Sequence, residues 1–207
     1  MFDFTLLKYP PAKSKIYFWE SLFNYFSSFF IKSYYDHFSK RHTTKEIIMA
    51  DSWVKLLSVY LTVIRKNQIE VDEVILPKHS CFEFSKAILS AGLKPVYVDL
   101  TSDLDFDFEH LTSKISKKTI AIIGVTNVGI EINFERLRAI AIAKNVYLIE
   151  DATYSYFGTN RSNRKFGELN DVAILNFSEG KFIPVGGGAL LVKKENHDLN
   201  KKIRSQI

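Results

Sequence analysis

Two residues of this chain, Lys181 and Asp151, stand where covalent chemistry at a carbonyl would need them. Lys181 lies just past the apolar run "DVAILNF" (171–177), and Asp151 closes another, "VYLIED" (146–151), where it follows Glu150 as an acidic pair. A lysine desolvated beside an apolar strand end loses part of its preference for the charged form, which frees its amine to attack carbonyls. An aspartate at a neighbouring strand end can keep a pyridinium nitrogen protonated, and that pairing is what pyridoxal phosphate chemistry asks of a protein. On spacing alone the same two residues also read as separate surface charges. The glycines Gly186 to Gly188 follow, and they either let backbone approach a ligand closely or simply turn the chain.

The elements that must position these residues are legible from residue 71 onward. "VDEVILP" (71–77) reads as a buried strand, and "KPVYVDL" (94–100), "TIAIIGV" (119–125) and "VYLIED" (146–151) read as the strands that follow it. Between them "SCFEFSKAILSAG" (80–92), "DFEHLTSKI" (107–115) and "FERLRAIAIAKN" (134–145) read as helices, the first stopped by Gly92. Two further strands, "DVAILNF" (171–177) and "GALLVKK" (188–194), flank the lysine, and residues 196–207 begin a last helix. The fold class is therefore α/β, a mostly parallel sheet with helices on both faces. Ligands of such sheets bind at the carboxyl ends of the strands. Here those ends are Lys78 to Cys81, Thr126 to Gly129, Asp151 to Tyr154 and Ser178 to Lys181.

Composition narrows the rest. The 207 residues, 46% hydrophobic, can bury a sizeable core. The net charge of +5 sits at the two ends: residues 51–192 hold 16 basic against 17 acidic side chains, which argues against a nucleic-acid groove across the body. One cysteine, Cys81, excludes an intramolecular disulfide and a cysteine-rich metal site, so a reducing, cytoplasmic setting is expected. In the aromatic stretch 18–38 the longest uncharged run, Ser21 to Ile31, is far short of the ~20 residues of a membrane span. Trp19, Leu22, Phe23, Phe26, Phe30 and Tyr34 recur at helical spacing, as in an amphipathic helix packed on the core or on a second subunit.

The ordered pieces resemble the DegT/DnrJ/EryC1/StrS sugar aminotransferases, pyridoxal phosphate enzymes of fold type I. "DEVILP" and "AGLKPVYVDL" are similar to the family's first strand and its "AGxxPVFVD" segment. "FERLRAIAIAKNVYLIEDATYS" resembles the helix and "IEDAAQA" strand end, and "NDVAILNFSEGKFIPVGGGALLV" the "GDxxxFSFxxxKxLxxGEGGA" segment. The resemblance implies the large domain of the type I transferase fold, with pyridoxal 5'-phosphate carried on Lys181 and Asp151 facing the pyridine nitrogen. Tyr154 falls where glutamine or histidine usually stands near the cofactor's phenolic oxygen. Asn176 takes the place of a phosphate-binding serine, with Ser178 a nearby substitute, and Ser52 stands in the phosphate loop. His79, Phe82 and Phe84 are alternatives for the side chain stacked on the ring. The implied substrates are an amino donor and a keto-sugar nucleotide, and the implied assembly is a homodimer or a pairing with a partner that supplies a missing domain.

The chain departs from the family pattern in three places. "ADSWVKLL" (50–57) replaces the "SGTAA" phosphate loop, with Trp53, a poor tenant of a tight anion loop, where a small hydroxyl residue is usual. Gly187 replaces the glutamate of "GEGG". The sequence also ends soon after the lysine, so the expected division is an aromatic-rich helical segment, 1–45, and a large domain, 46–207, without the family's C-terminal small domain. A truncated, non-catalytic relative that binds the cofactor or a partner protein is the competing expectation, and an unrelated doubly wound binding domain is a third. No dinucleotide or P-loop motif is present in the sequence. His79 and Cys81 lack a third metal ligand in view, and His110, beside Glu109 on a helix, reads as a surface residue.

Overall fold

The computed structural model describes residues 35–66, 70–127, 130–168, 170–182, 184 and 186–207. The chain divides into two compact units, residues 1–43 and 44–207. The described part of the first unit contains a helix over residues 35–41, α1; the aromatic positions 18–34 lie outside the described residues.

The second unit is built on a seven-stranded sheet in the order β1-β7-β6-β5-β4-β2-β3. Its strands are β1 (Lys45–Ala50), β2 (Glu73–Pro77), β3 (Lys94–Val98), β4 (Thr119–Val125), β5 (Tyr147–Asp151), β6 (Val172–Asn176) and β7 (Gly188–Lys193). β7 pairs antiparallel with both β1 and β6, and the other pairings are parallel. Every strand except β7 therefore runs the same way, and six carboxyl ends share one edge. The mostly parallel sheet expected from the strand and helix alternation is present. The sequence reading placed no strand at β1. "KEIIMA" opens on two charged residues that break the apolar pattern, and only its pairing with β7 makes it a strand.

Helices α2 (Trp53–Arg65), α3 (Phe82–Ser90) and α6 (His197–Arg204) cover one face of the sheet. On the other lie α4 (Phe108–Lys114) and α5 (Phe134–Lys144), where Arg136 sits 4.2 Å over the Phe108 ring. α2 is the central helix. It buries Trp53, Leu56, Leu57, Tyr60, Leu61, Val63 and Ile64, each such large side chain worth roughly 1.5–3 kcal/mol. That total far exceeds what helix propensity supplies, so α2 is held in place by packing. α5 ends where Asn145 adopts the left-handed conformation, φ 53° and ψ 47°, and returns the chain into β5.

Candidate functional site

The register of the sheet assembles the site. Ala50, ending β1, lies opposite Gly188, which opens β7, and Gly188 lies opposite Asn176, which ends β6. One strand further, Asp151 pairs with Ile174. The N-cap of α2, Ser52, follows Ala50 by two residues, so Ser52, Asn176 and Asp151 come to a common edge. The β6–β7 loop carries Ser178 and Lys181 above it.

Glu150 and Asp151, adjacent in sequence, part to opposite faces of the sheet, as successive strand residues must. Asp151 takes the face covered by α2. It is 7% exposed, and its Oδ1 accepts from the Thr153 backbone N–H at 3.1 Å. Burial pushes its carboxyl upward, opposed by the Thr153 hydroxyl, the Thr153 N–H and the charge of Lys181. Thr153 in turn accepts from the Asn176 N–H at 3.1 Å and so ties β5 to β6 at the site. Glu150 belongs to another cluster. Its carboxylate accepts from Gly167 N–H at 2.7 Å and Asn170 Nδ2 at 2.9 Å, and Lys45 Nζ donates to the Asn170 carbonyl at 2.5 Å.

Lys181 Nζ donates to the Tyr154 hydroxyl at 2.6 Å, which brings two of the sequence candidates together directly. Asn176 Oδ1 accepts from the Ser178 N–H at 2.8 Å and orders the first turn of the loop, which leaves the Asn176 amide group as a donor. The loop closes where Phe177 N–H donates to the Gly187 carbonyl at 3.0 Å and Gly186 N–H to the Phe177 carbonyl at 2.8 Å. The glycines do more than turn the chain. Gly187 has φ +77°, and a Cβ there would stand 2.3 Å from the Ala50 carbonyl oxygen. A Cβ on Gly188 would stand 2.4 Å from Trp53 Cβ. Their bareness lets β7 press against the β1–α2 junction.

Trp53 proves not to crowd the junction. Its side chain is 3% exposed and packs edge-on against Phe84, ring centroids 5.0 Å apart. The ring is a core residue beneath α2 and α3, and Ser52 caps α2 by accepting from Lys55 N–H at 3.3 Å. The same contact removes Phe84 from the stacking candidates and leaves His79 and Phe82, both exposed. His110 is more than a surface residue: its Nδ1 lies 2.9 Å from Asp99, which also pairs with Lys78 at 2.6 Å. Thr153 was not singled out in the sequence. An aspartate at a strand end signals an Asx-turn to the backbone two residues on, which is where Thr153 stands, but nothing local marks its hydroxyl as the tie to β6. Among the described residues no group of His, Cys, Asp and Glu could hold a metal ion, and no helix is long and apolar enough to cross a membrane.

A seven-stranded sheet, parallel but for β7 and covered by helices on both faces, is the fold this chain shares with solved aminotransferase structures. The sequence profile of the DegT/DnrJ/EryC1/StrS aminotransferase family matches residues 30–206, and the chain belongs to that family. It is 30% identical over 134 residues to GDP-perosamine synthase of Vibrio cholerae, a match covering 64% of this chain and 36% of the relative. Among solved structures it resembles PseC of Helicobacter pylori, an aminotransferase of pseudoaminic acid biosynthesis. That match has TM-score 0.74 at 18% identity and covers 82% of this chain and 45% of PseC. The PMP-form of Spr1654, a sugar aminotransferase of Streptococcus pneumoniae, gives TM-score 0.73 at 22% identity over 84% of this chain and 48% of that one. The chain thus spans less than half the length of these relatives. Pyridoxal 5'-phosphate is the family's cofactor.

Proposed function

We propose that this chain carries pyridoxal 5'-phosphate on Lys181 and serves an aminotransferase that delivers an amino group to a keto-sugar nucleotide. The observation that carries the reading is the buried Asp151 carboxylate at the end of β5 and the Lys181 amine in the loop after the adjoining β6, near enough for the lysine's charge to act on the carboxyl. The residues present fit the cofactor. A buried carboxylate asks for a cationic partner such as a pyridinium N–H. The amide of Asn176, the Ser178 hydroxyl and the N-terminus of the 13-residue α2 with Ser52 are donors suited to a phosphate. Tyr154 offers a hydroxyl toward the phenolic oxygen. When bound, the cofactor supplies an electron sink for the carbanion formed at the amino acid's α carbon.

The chain's own groups supply the remainder. Asp151 holds the proton on the ring nitrogen, and Thr153 keeps that carboxylate oriented. The Lys181 amine would hold the cofactor, and its Nζ is the group placed to take and return the α proton. The sugar nucleotide follows from the family, whose members include the perosamine and pseudoaminic acid enzymes. A second reading, cofactor binding without turnover, is favoured by Gly187, which leaves the place of the family's glutamate without a side chain.

The test is to add pyridoxal phosphate to the purified chain, record the visible absorption band, reduce with borohydride and map the modified lysine. A single adduct on Lys181, absent in Lys181→Ala and weakened in Asp151→Ala, supports the reading. Indiscriminate lysine labelling, or no band, overturns it. Turnover with glutamate as donor then separates an active enzyme from a cofactor-binding relative.

A further inference from the structure

Lys181 and its neighbour Phe182 clasp one side chain between them. Lys181 Nζ donates to the Tyr154 hydroxyl at 2.6 Å and stands 4.4 Å from the centroid of the same ring. Phe182 meets that ring edge-on, centroids 6.0 Å apart and planes at 78°, and Phe157 meets Phe182 edge-on at 6.5 Å. Edge-to-face contacts of this kind hold aromatic rings in a set orientation. The rings fix the phenol, and the phenol fixes the amine.

We propose that Tyr154 is the positioning residue of Lys181: its hydroxyl, fixed by the packed ring, holds the amine beside the strand ends and withholds it from electrophiles until a bound ligand takes over the hydrogen bond. This rests on the reading of Lys181 as the cofactor lysine. To reach a carbonyl carbon the amine must leave that hydrogen bond, which adds to the barrier. Where the family pattern has glutamine or histidine, this chain has a phenol. Glutamine would keep an acceptor but lose the ring. The pair is partly exposed, so the hold delays the amine without blocking it.

The experiment uses the full chain and trace acetic anhydride, with acetylation at Lys181 measured by peptide mass spectrometry against the exposed Lys86 and Lys114 as internal standards. Tyr154→Phe, which keeps the ring and removes the hydroxyl, is expected to raise the relative rate at Lys181 by about three- to tenfold. Tyr154→Ala should raise it further, and Tyr154→Gln should fall between wild type and Tyr154→Phe. Equal rates at Lys181 in wild type and Tyr154→Phe, with unchanged circular dichroism, overturn the proposal. If Tyr154→Phe fails to fold, the comparison of wild type with Tyr154→Ala, which also removes the hydroxyl, decides in the same way. Borohydride trapping with pyridoxal phosphate on the same proteins separates the two readings. No adduct on Lys181 overturns the cofactor assignment, whereas unchanged acetylation overturns the positioning role whatever the adduct.

Discussion

Trp53 shows how a side chain can depart from a family pattern without entering the site. Its ring is spent on Phe84 and the core, and its Cβ is what Gly188 makes room for. Trp53→Ser, which installs the small hydroxyl residue of the family pattern, is therefore expected to cost about 3–5 kcal/mol in urea unfolding through the cavity it leaves. It should not tighten pyridoxal phosphate binding. Tighter binding in a cofactor titration would show that the ring obstructs the phosphate end after all. Asp151 carries a prediction of its own. Burial raises its carboxyl, so the charge that would hold a pyridinium is lost, as pH falls, earlier than for an exposed aspartate. Cofactor affinity should fall through that range in wild type. Asp151→Asn should bind weakly at every pH, and an unchanged profile in that variant would deny the contact.

At the scale of elements, the β6–β7 loop and the start of α2 are one device. The loop is tied at its base by the two Phe177 hydrogen bonds and bears on the β1–α2 junction through two side-chain-free positions. Gly180 and Gly187 separate backbone conformation from close approach. Both have positive φ, +80° and +77°, but a Cβ on Gly180 meets nothing within 4 Å, while one on Gly187 meets the Ala50 carbonyl. Gly180→Ala should cost about 1–2 kcal/mol, the left-handed backbone penalty alone. Gly187→Ala should cost more and also loosen cofactor binding, because the junction must shift. Equal losses in stability and affinity for the two variants, measured by unfolding and cofactor titration, would place the loop away from the site.

At the scale of the whole molecule, one buried polar cluster joins three distant parts of the chain on the sheet face opposite Asp151. Lys45 from β1, Glu150 from β5 and Asn170 ahead of β6 meet there. Desolvation is the largest influence on both ionisable members: Glu150 is raised to about 7 and Lys45 lowered to about 8. For an acid raised on folding, stability is fully present below the unfolded value and is lost as pH rises through the folded one. The window for Glu150 runs from about 4.5 to about 7. Wild type should therefore lose on the order of 2 kcal/mol between pH 5 and pH 8 through this group. Glu150→Gln should flatten that slope. Its Oε1 can still accept from Gly167, and a flip of the Asn170 amide would turn Oδ1, buried and without a hydrogen-bond partner among the described residues, toward the new amide. Denaturant unfolding of both proteins at the two pH values is the check, and parallel slopes would remove Glu150 as the cause.

The local order of the chain was written in its residues. Apolar β-branched runs of four to seven residues, parted by helix-period segments, specify the strands from Glu73 onward, because the central runs β4, β5 and β6 need burial on both faces and a sheet covered on both faces provides it. The strand-end position of Asp151 was legible for the same reason, as a charge closing an apolar run, whereas Lys181 lies in the β6–β7 loop beyond the end of β6. What the sequence could not decide depends on residues far apart in the chain. The β1 edge exists through pairing with β7 more than a hundred residues away, Glu150 and Asp151 differ only in which face of the sheet they meet, and Trp53 is a core residue only because Phe84 packs against it. Those outcomes follow from register and packing, which tertiary structure alone supplies, because no local pattern records which distant backbone will lie alongside.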